Sequence, residues 1–331
     1  MGKLYDFFSG GKNKNDKGLS KKQVEYDKKL GFGFFFRLLK MRLGKFSASN
    51  LIFALCNIFF FVALFAIAGF LDHSVYTAGS NLYPQVTGIS QYIDSPVIVA
   101  LKGLFAVKTD MRVFSTASNI LLYGSGAILF FTFGLSTIGL IYNMRNVCTG
   151  EHVDTWGDYF YAIKKNWKQG IILGILDIVL ILVLMYDIVA YRYNVGLNFA
   201  MNVFYFASII FAIIYYVMRF YLYLQLVTCK MTIGKMFKNA FLLTSLGLKR
   251  NCCGLIGATA FILLVCYCFI LLPSFTIILI AMFAVAFLAY IGVYCAWPVL
   301  KKYVIDPYYE DHPEEKPIIE DSDDLIFTDR E

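Results

Sequence analysis

Residues 139–177, GLIYNMRNVCTGEHVDTWGDYFYAIKKNWKQGIILGILD, contain the pattern that decides the fold. The stretch leaves one apolar run, passes through a polar segment with several lysines, and enters a second apolar run that only Asp177 interrupts. A run of about 20 apolar residues is long enough to cross a bilayer as a helix. The stretch therefore predicts two membrane spans joined by an amphipathic segment on the cytoplasmic surface.

The polar segment predicts a helix over residues 155–169. With 3.6 residues per turn, its apolar side chains fall on one stripe, and Asp158 and the lysines lie away from it. The stripe consists of Trp156, Phe160, Ile163 and Trp167. Tryptophans on a surface-lying helix anchor at the level of the lipid headgroups, so we expect these residues to be interfacial anchors. A helix or groove of a partner protein is an alternative occupant of the same stripe.

The composition extends this prediction to the whole chain. The 331 residues are 59% hydrophobic and only 16% charged, which is typical of integral membrane proteins. The predicted fold is all-α and polytopic, with six transmembrane helices and additional interfacial amphipathic helices. The six spans are predicted at about residues 51–71, 120–142, 170–190, 199–227, 254–272 and 275–299, within a membrane domain over 49–300.

The distribution of charge predicts the orientation. Lysine and arginine are concentrated in the N-terminal segment and in alternate connections, which places both termini in the cytoplasm. Residues 1–31 are polar and lysine-rich and are predicted to be a disordered basic tail, and residues 301–331 a disordered acidic tail. Residues 32–48 alternate bulky apolar groups with Arg37, Lys40, Arg42 and Lys45, which predicts an interfacial helix. A helix that covers the protein's own cytoplasmic side is an equally good interpretation.

Residues 72–117 separate the first two spans and are predicted to form an external region. Their apolar segment 97–107 is too short to cross a bilayer, so we expect one interfacial helix there.

Two ionisable residues lie within the predicted spans. Asp177 and Arg219 are both about 11 to 12 Å from the cytoplasmic ends of consecutive antiparallel helices, given a rise of about 1.5 Å per residue. An unpaired charge at this depth is costly, so we predict an intramembrane charge pair. Tyr215 and Tyr223 are four residues on either side of Arg219 and form a polar face with it. The pair either fixes how two helices pack or lines an ion or substrate path, and we favour the first.

Motifs that would indicate an enzyme are missing from the sequence. There is no phosphate-binding loop, no glycine-rich dinucleotide turn and no assembled Ser/His/Asp set. With three histidines and no Cys-x-x-Cys pair, a metal site is not expected. We therefore expect no catalytic residue, no metal, no cofactor and no nucleic-acid partner.

Four stretches resemble the YesL-like family of bacterial integral membrane proteins, number 624 among domains of unknown function. They are residues 36–40 with 50–53, residues 136–142, residues 158–169 leading to Asp177, and residues 215–219 followed by 238–243. Compared with the family pattern, this chain has an inserted region at 72–117 and longer tails. The resemblance implies an accessory role beside carbohydrate uptake transporters of the ABC type, and it supplies no catalytic residue.

These observations lead to two functional hypotheses. The first is a non-enzymatic, multi-pass accessory or interaction protein of the plasma membrane, whose partners are the lipid bilayer and the permease subunits of a carbohydrate ABC transporter. The alternative is a small transporter or channel that uses Asp177 and Arg219. The sequence leaves the oligomeric state and any ligand of the external region open.

Overall fold

The structure is a computed structural model that describes residues 30–78, 80–93, 95–105, 108–149, 153–196 and 198–311. Helices dominate the described residues. In the first part of the chain these are α1 (Phe32–Met41), α2 (Leu43–Cys56), α3 (Ile58–Ala68), α4 (Tyr83–Ile89), α5 (Pro96–Phe105) and α6 (Thr116–Thr149). They are followed by α7 (Thr155–Tyr193), α8 (Phe199–Thr228), α9 (Ile233–Leu246), α10 (Leu248–Leu271), α11 (Pro273–Leu279), α12 (Val285–Leu300) and α13 (Asp306–Asp311). Two π-helical segments, Ile280–Ala284 and Lys301–Ile305, make the last three helices continuous.

The prediction of a helical, multi-pass membrane protein is confirmed. In the described part of the chain five helices are long and apolar enough to cross a membrane, and the count rises to six if α2 and α3 together form one span. Those two helices are separated at Asn57, inside the predicted first span. The chain ends, whose cytoplasmic location was predicted, lie outside the described residues.

The described residues divide into two compact units, one formed by residues 30–56 and 133–311, the other by residues 57–132. We refer to the first as the membrane unit. Its centre is α8, which packs against α7, α9 and α12. From Tyr221 to Val227 every side chain of α8 is buried, because helices cover it on several sides.

The amphipathic segment and the third span form one helix, α7, rather than two elements. Asn166 has non-helical backbone angles (φ −116°, ψ 15°), and this kink divides the amphipathic part from the apolar part. The Asn166 side-chain amide donates to the carbonyl of Ala162 at 3.1 Å, which occupies an acceptor of the helical ladder. The predicted boundary near residue 169 is therefore a change of direction within a continuous helix.

The predicted interfacial helix over 32–48 is interrupted at Arg42 and continues as α2. Helix α1 packs against the membrane unit: Leu38 is fully buried, and the ring of Phe35 stacks on Tyr290 with a centroid distance of 4.7 Å. Its opposite face is exposed. Helix α1 therefore covers part of the protein, as the second interpretation predicted. Its other apolar face is left uncovered.

The second unit contains more structure than the single interfacial helix predicted for 72–117. Strands β1 (His73–Ala78) and β2 (Lys108–Val113) form an antiparallel pair, in which His73 lies opposite Val113 and Ala78 opposite Lys108. The β-branched and aromatic residues in HSVYTA and KTDMRV favour strands, but segments of six residues give a weak sequence pattern. Helices α4 and α5 lie between the strands in sequence.

Two other elements differ from the prediction. Helix α9 forms in the connection between the fourth and fifth predicted spans, for which no element was predicted. Met236, Ala240 and Leu243 recur on one helical face there and are buried. Residues 301–311, predicted as the start of a disordered tail, continue the last helix. The rest of that tail lies outside the described residues.

Candidate functional site

The intramembrane charges lie where α7 and α8 run antiparallel. Asn198 caps α8 by accepting the Met201 N–H at 2.9 Å, and only five residues separate the end of α7 from the start of α8. Residues four apart on α8 lie one above the other. Tyr215, Arg219 and Tyr223 therefore form a column on α8 that faces Asp177 on α7.

The carboxylate of Asp177 is surrounded by donors from this column. Tyr215 Oη donates to Oδ1 at 2.9 Å, and Tyr223 Oη donates to Oδ2 at 2.9 Å. Arg219 Nη2 donates to Oδ2 at 2.8 Å, and its Nε lies 2.7 Å from Oδ1. The side chain of Asp177 is only 1% exposed. Both carboxylate oxygens are thus occupied by protein groups, and the negative charge is compensated by one guanidinium.

The guanidinium of Arg219 completes the cluster on its other side. Its central carbon lies 5.9 Å from the centroid of the Phe133 ring, within the range of a cation–π contact. The Arg219 side chain is 21% exposed. We call Asp177, Tyr215, Arg219 and Tyr223 the charge cluster.

A contact between glycine backbones holds α6 against α7 close to the charge cluster. A Cβ atom on Gly174 would lie 2.5 Å from the Cα atom of Gly134, so neither position accommodates a side chain. Gly174 is three residues before Asp177, and Gly134 follows Phe133. The close approach therefore brings the Phe133 ring to Arg219.

A shallow surface cleft lies between α8, α10 and α12, and its lining does not include Asp177 or Arg219. Apolar side chains such as Phe220 and Ile291 form much of its wall. Its polar part is the hydrogen bond that Tyr221 Oη donates to Asn251 Oδ1 at 2.9 Å.

The predicted interfacial anchors do not form one continuous stripe. Trp156, Phe160 and Trp167 are exposed, but the kink at Asn166 separates Trp167 from the other two. The Trp167 side chain is 51% exposed. Ile163 is only partly exposed and packs against the hydrophobic core. The face that α7 buries in this part contains Tyr159 and Ala162 instead.

Several buried polar residues were not found by sequence reasoning. The Asn50 amide donates to the carbonyls of Ile280 and Ala281, at 3.1 and 2.6 Å, and accepts the Ala286 N–H at 2.7 Å. These groups lie at and just after the π-helical segment, where the regular ladder is interrupted. In the sequence, Asn50 is visible only as an asparagine at the edge of an apolar run. Its partners could not be identified there, because they lie more than 200 residues away.

A second buried polar group connects α2, α6 and the start of α7. Asn143 donates to Ser49 Oγ at 3.1 Å and to the Thr155 carbonyl at 2.9 Å, and all three residues are buried. Gln225 on α8 is also fully buried, and within the described residues neither of its amide atoms makes a hydrogen bond. Among the residues that the structure describes, no three His, Cys, Asp or Glu side chains form a candidate metal site.

Fold and site together define a multi-pass membrane protein with a closed intramembrane charge cluster. Residues 99–188 match the model of a family described as "Protein of unknown function, DUF624", which confirms the resemblance to that family. The match includes α6 and most of α7 with Asp177, and it begins inside the region that the sequence predicts as an external insertion. No curated protein and no solved structure matches the chain.

Proposed function

We propose that this protein is a non-enzymatic accessory or interaction subunit of the plasma membrane, which acts beside the permease of a carbohydrate ABC transporter. One observation carries the proposal: the donors of Tyr215, Arg219 and Tyr223 occupy both oxygens of Asp177. A carboxylate that carries a proton or a cation needs an accessible oxygen in at least one state of its cycle. With its oxygens occupied, Asp177 acts as a packing element, and the function belongs to the surfaces.

The surface that fits a protein partner best is the exposed side of α7 before its kink. Trp156 and Phe160 contact each other there, with ring centroids 5.2 Å apart, and both remain exposed. Aromatic side chains supply much of the binding energy of protein interfaces. The proposed partner is taken from the family resemblance, which implies an accessory role beside carbohydrate uptake transporters.

Capture of the permease tests the proposal. The protein is purified in mild detergent from cells that also express a carbohydrate ABC transporter, and the permease subunits are quantified by mass spectrometry. We expect them to co-purify with the wild-type protein and to be lost with Trp156→Ser/Phe160→Ser. The matched control is Ile172→Ser/Leu176→Ser, which changes exposed apolar residues within the span of the same helix. Repeated absence of permease subunits from the wild-type preparation would overturn the proposal.

A small transporter or channel is the second candidate, and the partial exposure of Arg219 favours it. If the charge cluster lined a path, Asp177→Asn would abolish flux into proteoliposomes while the variant remained folded. Loss of folded protein in that variant would instead indicate a packing role.

A further inference from the structure

Three surface helices lie at one end of the membrane unit. They are α1, residues 155–165 of α7, and α9. Arg250, at the start of α10, donates from Nη2 to the Leu30 carbonyl just before α1, at 3.0 Å. Gln169 on α7 donates from Nε2 to the Met231 carbonyl just before α9, at 3.1 Å. These contacts place the three helices at the same end, and we call them the surface helices.

Each surface helix has one face buried in the protein and another that the described chain leaves open. On α9 the buried face contains Met236 and Ala240, whereas Phe241, Leu242 and Leu246 are exposed by half or more. The same division separates buried from exposed apolar side chains on α1 and on α7. The exposed apolar residues of those two helices are Phe32, Phe36 and Met41 on α1, and Trp156 and Phe160 on α7.

The exposed faces are also strongly basic. Neither α1 nor α9 contains an acidic residue. Within residues 155–165 the one acid is Asp158, which accepts hydrogen bonds from the Asn146 amide and the Asp154 N–H. The exposed lysines on the surface helices and at the kink are Lys40, Lys164, Lys165, Lys168, Lys235 and Lys238. An occupant of these faces must therefore combine apolar groups with negative charge.

We propose that the surface helices bind the headgroups of anionic phospholipids in the bilayer that the spans cross. Aliphatic and aromatic groups beside lysines match the boundary between acyl chains and headgroups, and lysine side chains extend toward phosphates from such a position. Three separate helices share this pattern, which fits a continuous lipid surface better than the localised patch of one protein partner. The inference goes beyond the accessory role, which assigns only Trp156 and Phe160 to a protein partner and names no lipid headgroup. Helices α1 and α9 show the lipid-binding pattern without those two residues.

Lipid retention by the purified protein tests the inference. The protein is exchanged into mixed micelles that contain equal amounts of phosphatidylglycerol and phosphatidylcholine, and the retained lipids are counted by native mass spectrometry. We expect a clear preference for phosphatidylglycerol. Lys235→Gln/Lys238→Gln should reduce that preference by roughly thirtyfold, because each lysine near an anionic surface contributes about 1 kcal/mol and about 1.4 kcal/mol corresponds to a factor of ten.

The matched control is Lys102→Gln/Arg192→Gln, which removes two exposed basic residues from α5 and from the opposite end of α7. We expect it to retain the wild-type preference. Unfolding temperatures in phosphatidylcholine alone verify that each variant is folded, and Lys164→Gln/Lys165→Gln replaces the α9 variant if that one does not fold. Equal retention of the two lipids by the wild-type protein, or an unchanged preference in both lysine variants, would overturn the inference. If the lysine variants lose permease capture but keep the wild-type lipid preference, the surface helices bind a protein instead of lipid.

Discussion

The Asp177 side chain shows how one residue becomes compatible with an apolar environment. An isolated charge in a bilayer costs several kcal/mol, and three donors with one compensating cation offset that cost here. The arrangement is symmetrical: each carboxylate oxygen accepts from one tyrosine and contacts one nitrogen of Arg219. Such saturation is typical of a buried polar group that fixes helix packing.

Asn50 has a comparable role for the last membrane helix, and its replacement should be costly. In Asn50→Leu the carbonyls of Ile280 and Ala281 and the N–H of Ala286 lose their partner. Leaving buried polar groups unsatisfied costs about 1–3 kcal/mol each, so we expect the free energy of unfolding to fall by at least about 2 kcal/mol. Thermal unfolding in detergent measures the change.

The control for this experiment is Asn119→Leu, the same substitution at a partly exposed position of α6. It should leave the unfolding temperature within a degree or two of the wild type, because surface substitutions usually have small effects. If Asn50→Leu and Asn119→Leu unfold at the same temperature, Asn50 does not stabilise the π-helical segment.

The sequence predicts the residues of the charge cluster because their positions follow from local geometry. Helix rise gives Asp177 and Arg219 the same depth, and a spacing of four puts Tyr215 and Tyr223 beside Arg219. Asn50 and Asn143 could not be assigned in this way, because their partners come from distant segments. Ser49 and Asn143, for example, are 94 residues apart.

At the scale of elements, hydrophobic periodicity predicts most helices but not their interruptions. The six apolar runs are long enough to be recognised, whereas the kink at Asn166 depends on a side chain that bonds to its own helix. Helix α9 escapes prediction because it is short and its exposed face is also apolar, which weakens the amphipathic pattern. The ladder of β1 and β2 depends on pairing between segments about 35 residues apart.

The contact between α6 and α7 predicts a strong effect of a single methyl group. In Gly174→Ala the new Cβ would lie 2.5 Å from Gly134 Cα, and a backbone atom cannot move aside without separating the helices. We expect a loss of about 1–3 kcal/mol in the free energy of unfolding, as for other overpacked positions.

Gly126→Ala on α6 is the matched control, because nothing lies within 4 Å of its Cβ position. Alanine favours helix over glycine, so this variant should be neutral or slightly stabilised. Thermal unfolding of both variants checks the prediction, and equal unfolding temperatures would show that the glycine contact is not tightly packed.

The second unit should depend on pH through Asp72. Hydrogen bonds from Ser118 and the Ser115 N–H, together with Arg112, lower the pKa of Asp72 below its ordinary value of 3.8. Arg112 Nε donates to Asp72 Oδ2 at 2.7 Å, and its Nη2 donates to the Ile67 carbonyl at the end of α3 at 2.6 Å. The stabilisation is complete above pH 3.8 and is lost as the pH falls through the lower pKa of the folded state.

Hydrogen exchange of the β1 and β2 amides, corrected for the intrinsic effect of pH, measures this loss. We expect protection in the wild type to fall below pH 3.8, whereas Asp72→Asn should be less protected at neutral pH and change little in acid. Identical pH profiles for the two proteins would exclude Asp72 as the source.

At the scale of the whole molecule, the intramembrane charges of Asp177 and Arg219 are paired inside the protein, while aromatic and basic groups remain on the outside. The membrane unit keeps Asp177 at 1% exposure and leaves Trp156, Phe160 and the surface helices open. This division motivates the assignment of function to surfaces rather than to a path through the bundle. The sequence predicts the membrane class and a resemblance to one family from composition and motifs, but the partner of an open surface is not encoded in a local pattern.

Thermal unfolding of two variants, one that removes a single charge and one that removes the whole charge cluster, tests the packing role of the cluster most directly. Asp177→Asn leaves Arg219 without its counter-charge, and we expect it to lose about 3 kcal/mol of stability, at the lower end for a broken buried pair because Arg219 is partly exposed. The combined variant Asp177→Leu/Arg219→Leu/Tyr215→Phe/Tyr223→Phe removes all polar groups of the charge cluster at once, so none is left without a partner. It should recover most of the wild-type unfolding temperature. An Asp177→Asn protein that unfolds at the wild-type temperature would contradict the account.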